Sequence, residues 1–135
     1  MGNKCEFCGL LKEKNKGIFY EDDLLFAILD SDPISMGHTL IIPKKHFKDI
    51  RTIPKKTLAH ISLISQKIAK ILFEDFKYES VSIMQSNGLC QDISHYHMHV
   101  FGRDKNNDLK ITWPENKTYT MEDLYKITKL FKSRL

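Results

Sequence analysis

The stretch Ser94-His95-Tyr96-His97-Met98-His99-Val100-Phe101 sets three of the chain's six histidines at alternate positions. Side chains alternate faces along an extended strand, so a strand over 94–101 places three imidazoles on one face and Tyr96, Met98 and Val100 on the other. Three readings stand at this point: a histidine-rich surface strand, a His-x-His metal-binding pair, and a catalytic imidazole cluster.

The flanking sequence says what holds such a strand. Glu79 to Gln85 alternates apolar and polar residues and leads into Asn87-Gly88, a turn signal. Upstream, Leu58, Ile61, Ile64, Ile68 and Leu72 recur every three or four residues between Pro54 and Phe76, which predicts a long amphipathic helix with Pro54 near its start. Gly17 to Asp23 and Leu24 to Leu29 read as two strands, stopped by Asp30-Ser31-Asp32-Pro33. Thr39 to Ile42 reads as a third, opened by Gly37 and closed by Pro43. Met121 to Arg134 predicts a closing helix, capped by Thr120, with Leu124, Ile127 and Phe131 on one side. Strands, then a helix, then more strands argue for an antiparallel α+β domain rather than a parallel βαβ one.

At 135 residues, 41% hydrophobic and 28% charged, the chain is expected to be a single domain over 1–135 rather than a disordered or low-complexity segment. No apolar run approaches the ~18 residues of a membrane span, and the start MGNKCEF lacks a signal core, so no membrane association and a cytoplasmic location are expected. The net charge of +4 comes from scattered lysines, which suits a solvated surface and makes nucleic acid an unlikely partner. Three cysteines is an odd count. Cys5 and Cys8 form a Cys-x-x-Cys pair suited to metal or redox chemistry, and Cys90 reads as an incidental thiol.

The sequence resembles the histidine triad (HIT) family of nucleotide hydrolases and transferases. The resemblance is carried by Cys5-Glu6-Phe7-Cys8, Tyr20-Glu21-Asp22-Asp23, Phe26-Ala27-Ile28-Leu29-Asp30 with Pro33, Gly37-His38-Thr39-Leu40-Ile41-Ile42-Pro43-Lys44-Lys45-His46, Asn87-Gly88, Gln91 and the triad, in order over residues 5–103. It implies a HIT-like α+β fold with a five-stranded antiparallel sheet, one long helix and one C-terminal helix, paired into a homodimer. The chain departs from the family's common form in three places. The stretch from Asn87 to His95 is shorter, Cys90 replaces the usual glycine before Gln91, and Phe101-Gly102-Arg103 stands where a proline is frequent. A bacterial branch with a short Asn-Gly loop and a downstream tryptophan, here Trp113, looks similar to this chain, and members that keep the cysteine pair look like zinc binders.

The resemblance implies Zn2+ held structurally by Cys5, Cys8, His46 and His95, which leaves His97 and His99 for phosphate chemistry. His97 is then the nucleophile toward the α-phosphorus of a purine nucleotide substrate, and His99 a donor to the phosphate or leaving group. Asp30 matches the carboxylate that accepts the ribose hydroxyls, Phe7, Leu10 and Ile28 the apolar surroundings of the base, and Asn87 and Gln91 the amides near the phosphates. His38 is expected to be structural, bonded near its own strand. The activity implied is hydrolysis of a nucleoside phosphoramidate or a dinucleoside polyphosphate through a covalent nucleotidyl-histidine. The alternatives are a noncatalytic nucleotide-binding scaffold dimer, or removal of adenylate from nucleic-acid ends.

Overall fold

A computed structural model describes residues 5–105, 109–115 and 118–135. Five strands, β1 (Ile18–Glu21), β2 (Leu25–Leu29), β3 (Thr39–Pro43), β4 (Ser80–Met84) and β5 (Met98–Arg103), form one sheet in the order β1-β2-β3-β5-β4. Every neighbouring pair is antiparallel. Three helices accompany it: α1 (Glu6–Lys12), α2 (Lys55–Glu74) and α3 (Met121–Arg134). This is the expected α+β architecture, with the long helix at α2 and the C-terminal helix at α3.

β2 and β3 are apolar throughout because both faces of the sheet are covered there. Leu25, Ala27 and Ile41 turn toward α2 and pack with its Ile61, Ile64, Ile68 and Leu72. Phe26, Ile28, Leu40 and Ile42 turn the other way and pack with Phe7 of α1. α1 was not anticipated from the sequence, where a seven-residue segment carries too little periodicity to announce itself. It gives the site its second wall.

The strand expected over 94–101 begins at Met98 instead. Before that point the chain is held by other partners: His95 N–H donates to Ile93 O (2.8 Å) and Tyr96 N–H to Phe47 O (2.7 Å). β4 ends at Met84, opposite His99, so on that side residues 95–97 have no strand to pair with. The alternation of faces persists all the same. Tyr96 and Val100 are buried on the α2 side, while His97 meets Phe7 on the α1 side at a ring separation of 5.0 Å. The β4–β5 connection is accordingly long, running from 85 to 97 through a 3₁₀ turn over Gly88–Cys90 entered with Gly88 at φ +74°.

Gly102 has a steric reason to be glycine. A Cβ there would lie 1.9 Å from the Tyr78 ring, which crosses the end of β5 to donate its hydroxyl to Met36 O (2.9 Å). α3 opens with Thr120 in a reciprocal capping box with Asp123, as its sequence predicts. Every residue of α3 is exposed, including Leu124, Ile127, Leu130 and Phe131. No helix among the described residues is long and apolar enough to cross a membrane.

One polar cluster ties α2 to the β1–β2 turn. Asp22 Oδ1 accepts the N–H groups of Leu24 (2.8 Å) and Leu25 (3.0 Å), while Oδ2 accepts the Tyr20 hydroxyl (2.7 Å) and lies 2.6 Å from His60 Nε2 on α2. Partial burial alone would raise the pKa of this carboxyl, but the hydrogen bonds from His60, Tyr20 and the backbone outweigh it and hold it well below the ordinary carboxylate range. A group depressed in this way stabilises the fold above its unfolded value of about 3.9, and that contribution is lost as pH falls toward the folded value. Asp22→Asn should therefore unfold at lower urea than wild type at pH 7, with the gap narrowing below pH ~3.9. A gap that stays constant with pH would assign the loss to hydrogen-bond geometry rather than to charge.

Candidate functional site

The three triad imidazoles share a chain direction but not a hydrogen-bonding state. His95 Nε2 donates to Pro43 O (2.8 Å), which leaves Nδ1 unprotonated and facing Cys5 Sγ (3.3 Å) and Cys8 Sγ (3.6 Å). His97 does the reverse. Its Nδ1 donates to His95 O (2.7 Å), which leaves the Nε2 lone pair free. For His99 the state is set from outside: Ile34 N–H donates to His38 Nδ1 (3.0 Å), so the proton of His38 sits on Nε2 and is donated to His99 Nδ1 (2.9 Å). His99 then carries its own proton on Nε2. Neighbouring rings thus present a lone pair at His97 and a donor at His99.

Burial keeps His95, His99 and His38 uncharged. It pushes His99 down to about 4, with His97 and His38 adding to the effect and Asp30 and Asp92 opposing it. It pushes His95 down to about 4 as well, against the Pro43 hydrogen bond that favours the charged ring and with help from His46 and His97. His38 is lowered by burial despite the nearby Asp30 carboxylate.

Two adjoining cavities meet at His97 and His99. The larger, about 510 Å³, has apolar walls from Phe7, Leu10, Ile28, Leu40 and Ile93 and carries Asp30 on its lining. The smaller, about 350 Å³, is lined by Asp32, Met84, Ser86, Cys90 and Gln91. Asp30 and Asp92 border both. Asp30 is only 17% exposed, with Oδ2 3.5 Å from His38 Nε2 and Oδ1 accepting Asp32 N–H (2.9 Å).

On the far side of His95 lies a second assembly. Cys5, Cys8, His46 and His95 bring one potential ligand atom each to within 4.8 Å of one another, a cluster able to hold a metal ion. Cys8 Sγ is 3.6 Å from His46 Nδ1. Burial and the adjacent Cys5 thiol push the Cys8 thiol up, so two thiolates coexist here only with a cation between them. Asp30, His38 and His99 also converge. Their geometry is that of a hydrogen-bond relay, because the 2.9 Å ring-to-ring contact and the Ile34 bond commit both nitrogens of His38.

The structure thus gathers Phe7, Leu10, Ile28, Asp30, His97 and His99 around one cavity, Gln91 around its neighbour, and Cys5, Cys8, His46 and His95 into the metal-ligand cluster. Asn87 lines neither cavity. Its amide exchanges hydrogen bonds with Gln85 and accepts Ile50 N–H (2.9 Å), bracing the loop. Gln91 braces it too, donating to Lys48 O (2.9 Å). Sequence reasoning placed His38 near its own strand, which the Ile34 bond bears out, but missed its bond to His99. No local sequence signal marks that contact, which follows from the pairing of β3 with β5: Leu40 lies opposite His99, and His38 is the residue just before β3. Asp92 was missed as well, being one exposed acid among many.

Comparison with known proteins agrees with this fold. The chain is 32% identical over 135 residues to the adenosine 5'-monophosphoramidase HNT1 of Saccharomyces cerevisiae, spanning 97% of this chain and 80% of that one. It superposes on the crystal structure of a HIT family protein from Bacillus anthracis with a TM-score of 0.87 at 28% identity, covering 100% and 99% of the two chains. A zinc-bound histidine triad family protein from Mycobacterium smegmatis superposes with a TM-score of 0.72 at 27% identity, covering 98% of each. Residues 11–106 match the HIT domain, and the chain belongs to the HIT domain family.

Proposed function

We propose that this chain is a nucleotide hydrolase that attacks the α-phosphorus of a nucleoside phosphoramidate or dinucleoside polyphosphate through a covalent nucleotidyl-His97 intermediate. The observation that carries the reading is the free Nε2 lone pair of His97 at the junction of an apolar and a polar cavity, its ring held by the bond from Nδ1 to His95 O. The yeast relative, an adenosine 5'-monophosphoramidase, points the same way.

In this scheme the purine lies in the larger cavity against Phe7, Leu10 and Ile28, and Asp30 accepts the ribose hydroxyls with the lone pairs its local bonds leave over. His97 Nε2 forms a bond to phosphorus as the bond to the leaving group breaks. The positive charge that develops on the ring is stabilised by the His95 carbonyl facing Nδ1–H. His99 donates its Nε2–H to a nonbridging oxygen, and backbone N–H groups of the Gln91 loop support the same charge. Gln91 and Asn87 act here through the loop they brace, Gln91 at the phosphate cavity and Asn87 beyond it. Water then hydrolyses the phosphorus–nitrogen bond and restores His97.

The Cys5, Cys8, His46 and His95 cluster is read as a structural Zn2+ site. A tetrahedral zinc with bonds of about 2.3 Å to sulfur and 2.0–2.1 Å to nitrogen has sulfur-to-nitrogen edges of about 3.5 Å. The corresponding contacts here are 3.3, 3.6 and 3.6 Å. Bound there, zinc supplies folding energy by joining the start of α1 to the segments around His46 and His95. Metal analysis should find about one zinc per chain in wild type and little in Cys5→Ser; equal content in both would remove the site.

The homodimer is supported by surface left uncovered. The chain exposes 10504 Å², where a compact monomer of this length would expose roughly 7,300 Å². The edge strand β4 shows Ile83 and Met84, and α3 its whole apolar side. Light scattering should return twice the chain mass at micromolar concentration, and a monomer mass would count against pairing.

The catalytic reading separates two neighbouring residues. His97→Asn should keep its zinc and its melting temperature while turnover of an adenosine phosphoramidate falls roughly 10³-fold or more. His95→Asn should lose metal and stability first, and activity as a consequence. Mass spectrometry of wild type quenched during turnover should show a nucleotidyl adduct on His97. Nucleotide binding with neither adduct nor turnover would instead leave a noncatalytic binding scaffold.

A further inference from the structure

The two cavities differ in chemistry as well as size. The larger one has the apolar walls suited to a base. The smaller, on the other side of the His97–His99 pair, is where a leaving group must sit if the nucleoside occupies the larger. Its lining includes three carboxylates, Asp30, Asp32 and Asp92, and no lysine or arginine lines either cavity among the described residues. That contrasts with the chain's net charge of +4.

The acids are not equivalent. Asp30 is mostly buried and engaged with Asp32 N–H and the His38–His99 pair. Asp32 and Asp92 are exposed to the cavity, and among the described residues neither carboxylate forms an ion pair or a side-chain hydrogen bond. His38 and His99 do not offset them, since burial holds both rings uncharged at neutral pH. A pyrophosphoryl or nucleotide leaving group would therefore carry its charges into a cleft of like sign with nothing cationic to meet them.

Resting on the hydrolase reading above, we propose that Asp92 and Asp32 select the leaving group by charge, so that the preferred substrates are nucleoside phosphoramidates whose departing amine carries a further cationic group, and dinucleoside polyphosphates are disfavoured. The step balances. His97 Nε2 forms the phosphorus–nitrogen bond, the original phosphorus–nitrogen bond breaks with its electron pair going to the amine, and the amine takes a proton from solvent in the open cavity. The water that later cleaves nucleotidyl-His97 returns one proton to solvent. The proton reaches the nitrogen while it is still partly bonded to phosphorus, so the nitrogen carries positive charge in the transition state; the two carboxylates stabilise it there, and the pendant cation adds ground-state binding on the same side. Asp92 and Asp32 are thus specificity residues for the amine.

The test uses three adenosine 5'-phosphoramidates of equal chain length whose amine ends in an ammonium, a methyl or a carboxylate group. A unit charge about 4 Å from one carboxylate in water changes a rate or affinity about five-fold, so two carboxylates should spread kcat/KM between the ammonium and carboxylate substrates by roughly 10- to 100-fold at low salt. Asp92→Asn combined with Asp32→Asn should compress that spread severalfold, Asp92→Glu should keep it, and 0.5 M salt should shrink it in wild type. A flat ranking in wild type, or a spread unaltered in the double variant, would overturn the inference and leave the hydrolase reading intact. Absence of both turnover and adduct with all three substrates would overturn the hydrolase reading itself and this inference with it.

Discussion

Antiparallel pairing of Thr39–Ile41 with Met98–Val100 joins the two halves of the chain, and the site exists only because of it. The pairing sets Leu40 opposite His99, brings His38 within hydrogen-bonding distance of the His99 ring, and carries the approach to β5 past Pro43, whose carbonyl takes the His95 proton. A slip of one residue would turn the triad to the α2 face and send Tyr96 and Val100 to the α1 face. The packing on both faces forbids that slip, since Tyr96 and Val100 are almost wholly buried against α2.

On that frame, three identical side chains have their tautomers set by what each faces, with the proton on Nε2 at His95 and His99 and on Nδ1 at His97. A main-chain carbonyl from another strand fixes His95, the carbonyl two residues back fixes His97, and a second histidine fixes His99. Burial matters as much as bonding, because a charged imidazole would have neither a metal-binding nor a nucleophilic lone pair at the required nitrogen. The cost of desolvating a cation is what keeps His95 and His99 neutral.

The elements with long hydrophobic periods were legible in the sequence. α2 announces itself through Ile61, Ile64, Ile68 and Leu72, and β2 and β3 through unbroken apolar runs, because each buries against a single kind of surface. The triad's alternation was legible too, although the strand itself starts three residues after His95. What stayed hidden depends on contacts between distant segments. α1 is too short to show a period, His38 meets His99 across a separation of 61 residues, and Asp92 acquires meaning only when a cavity forms beside it. Asn87 illustrates the converse: its turn chemistry was plain, and the structure uses it to brace the loop against Ile50 rather than to line a cavity.

The cysteine–histidine cluster and the larger cavity are one mechanical unit. Cys5 and Cys8 sit at the start of α1, and Phe7 between them lies edge-on to both His95 (5.9 Å) and His97 (5.0 Å). A seven-residue helix has little stability of its own, so its position against the sheet rests on Phe7 packing with Phe26, Ile28, Leu40 and Ile42 and on whatever holds the two thiols. An ion joining them to His46 and His95 would fix the wall of the cavity at the distance the His97 ring requires. It would do so without touching the reacting atoms, because the His95 nitrogen that meets the thiols and the His95 carbonyl that orients His97 belong to opposite ends of one residue. His95 is therefore the point where folding energy on one side becomes positional accuracy on the other.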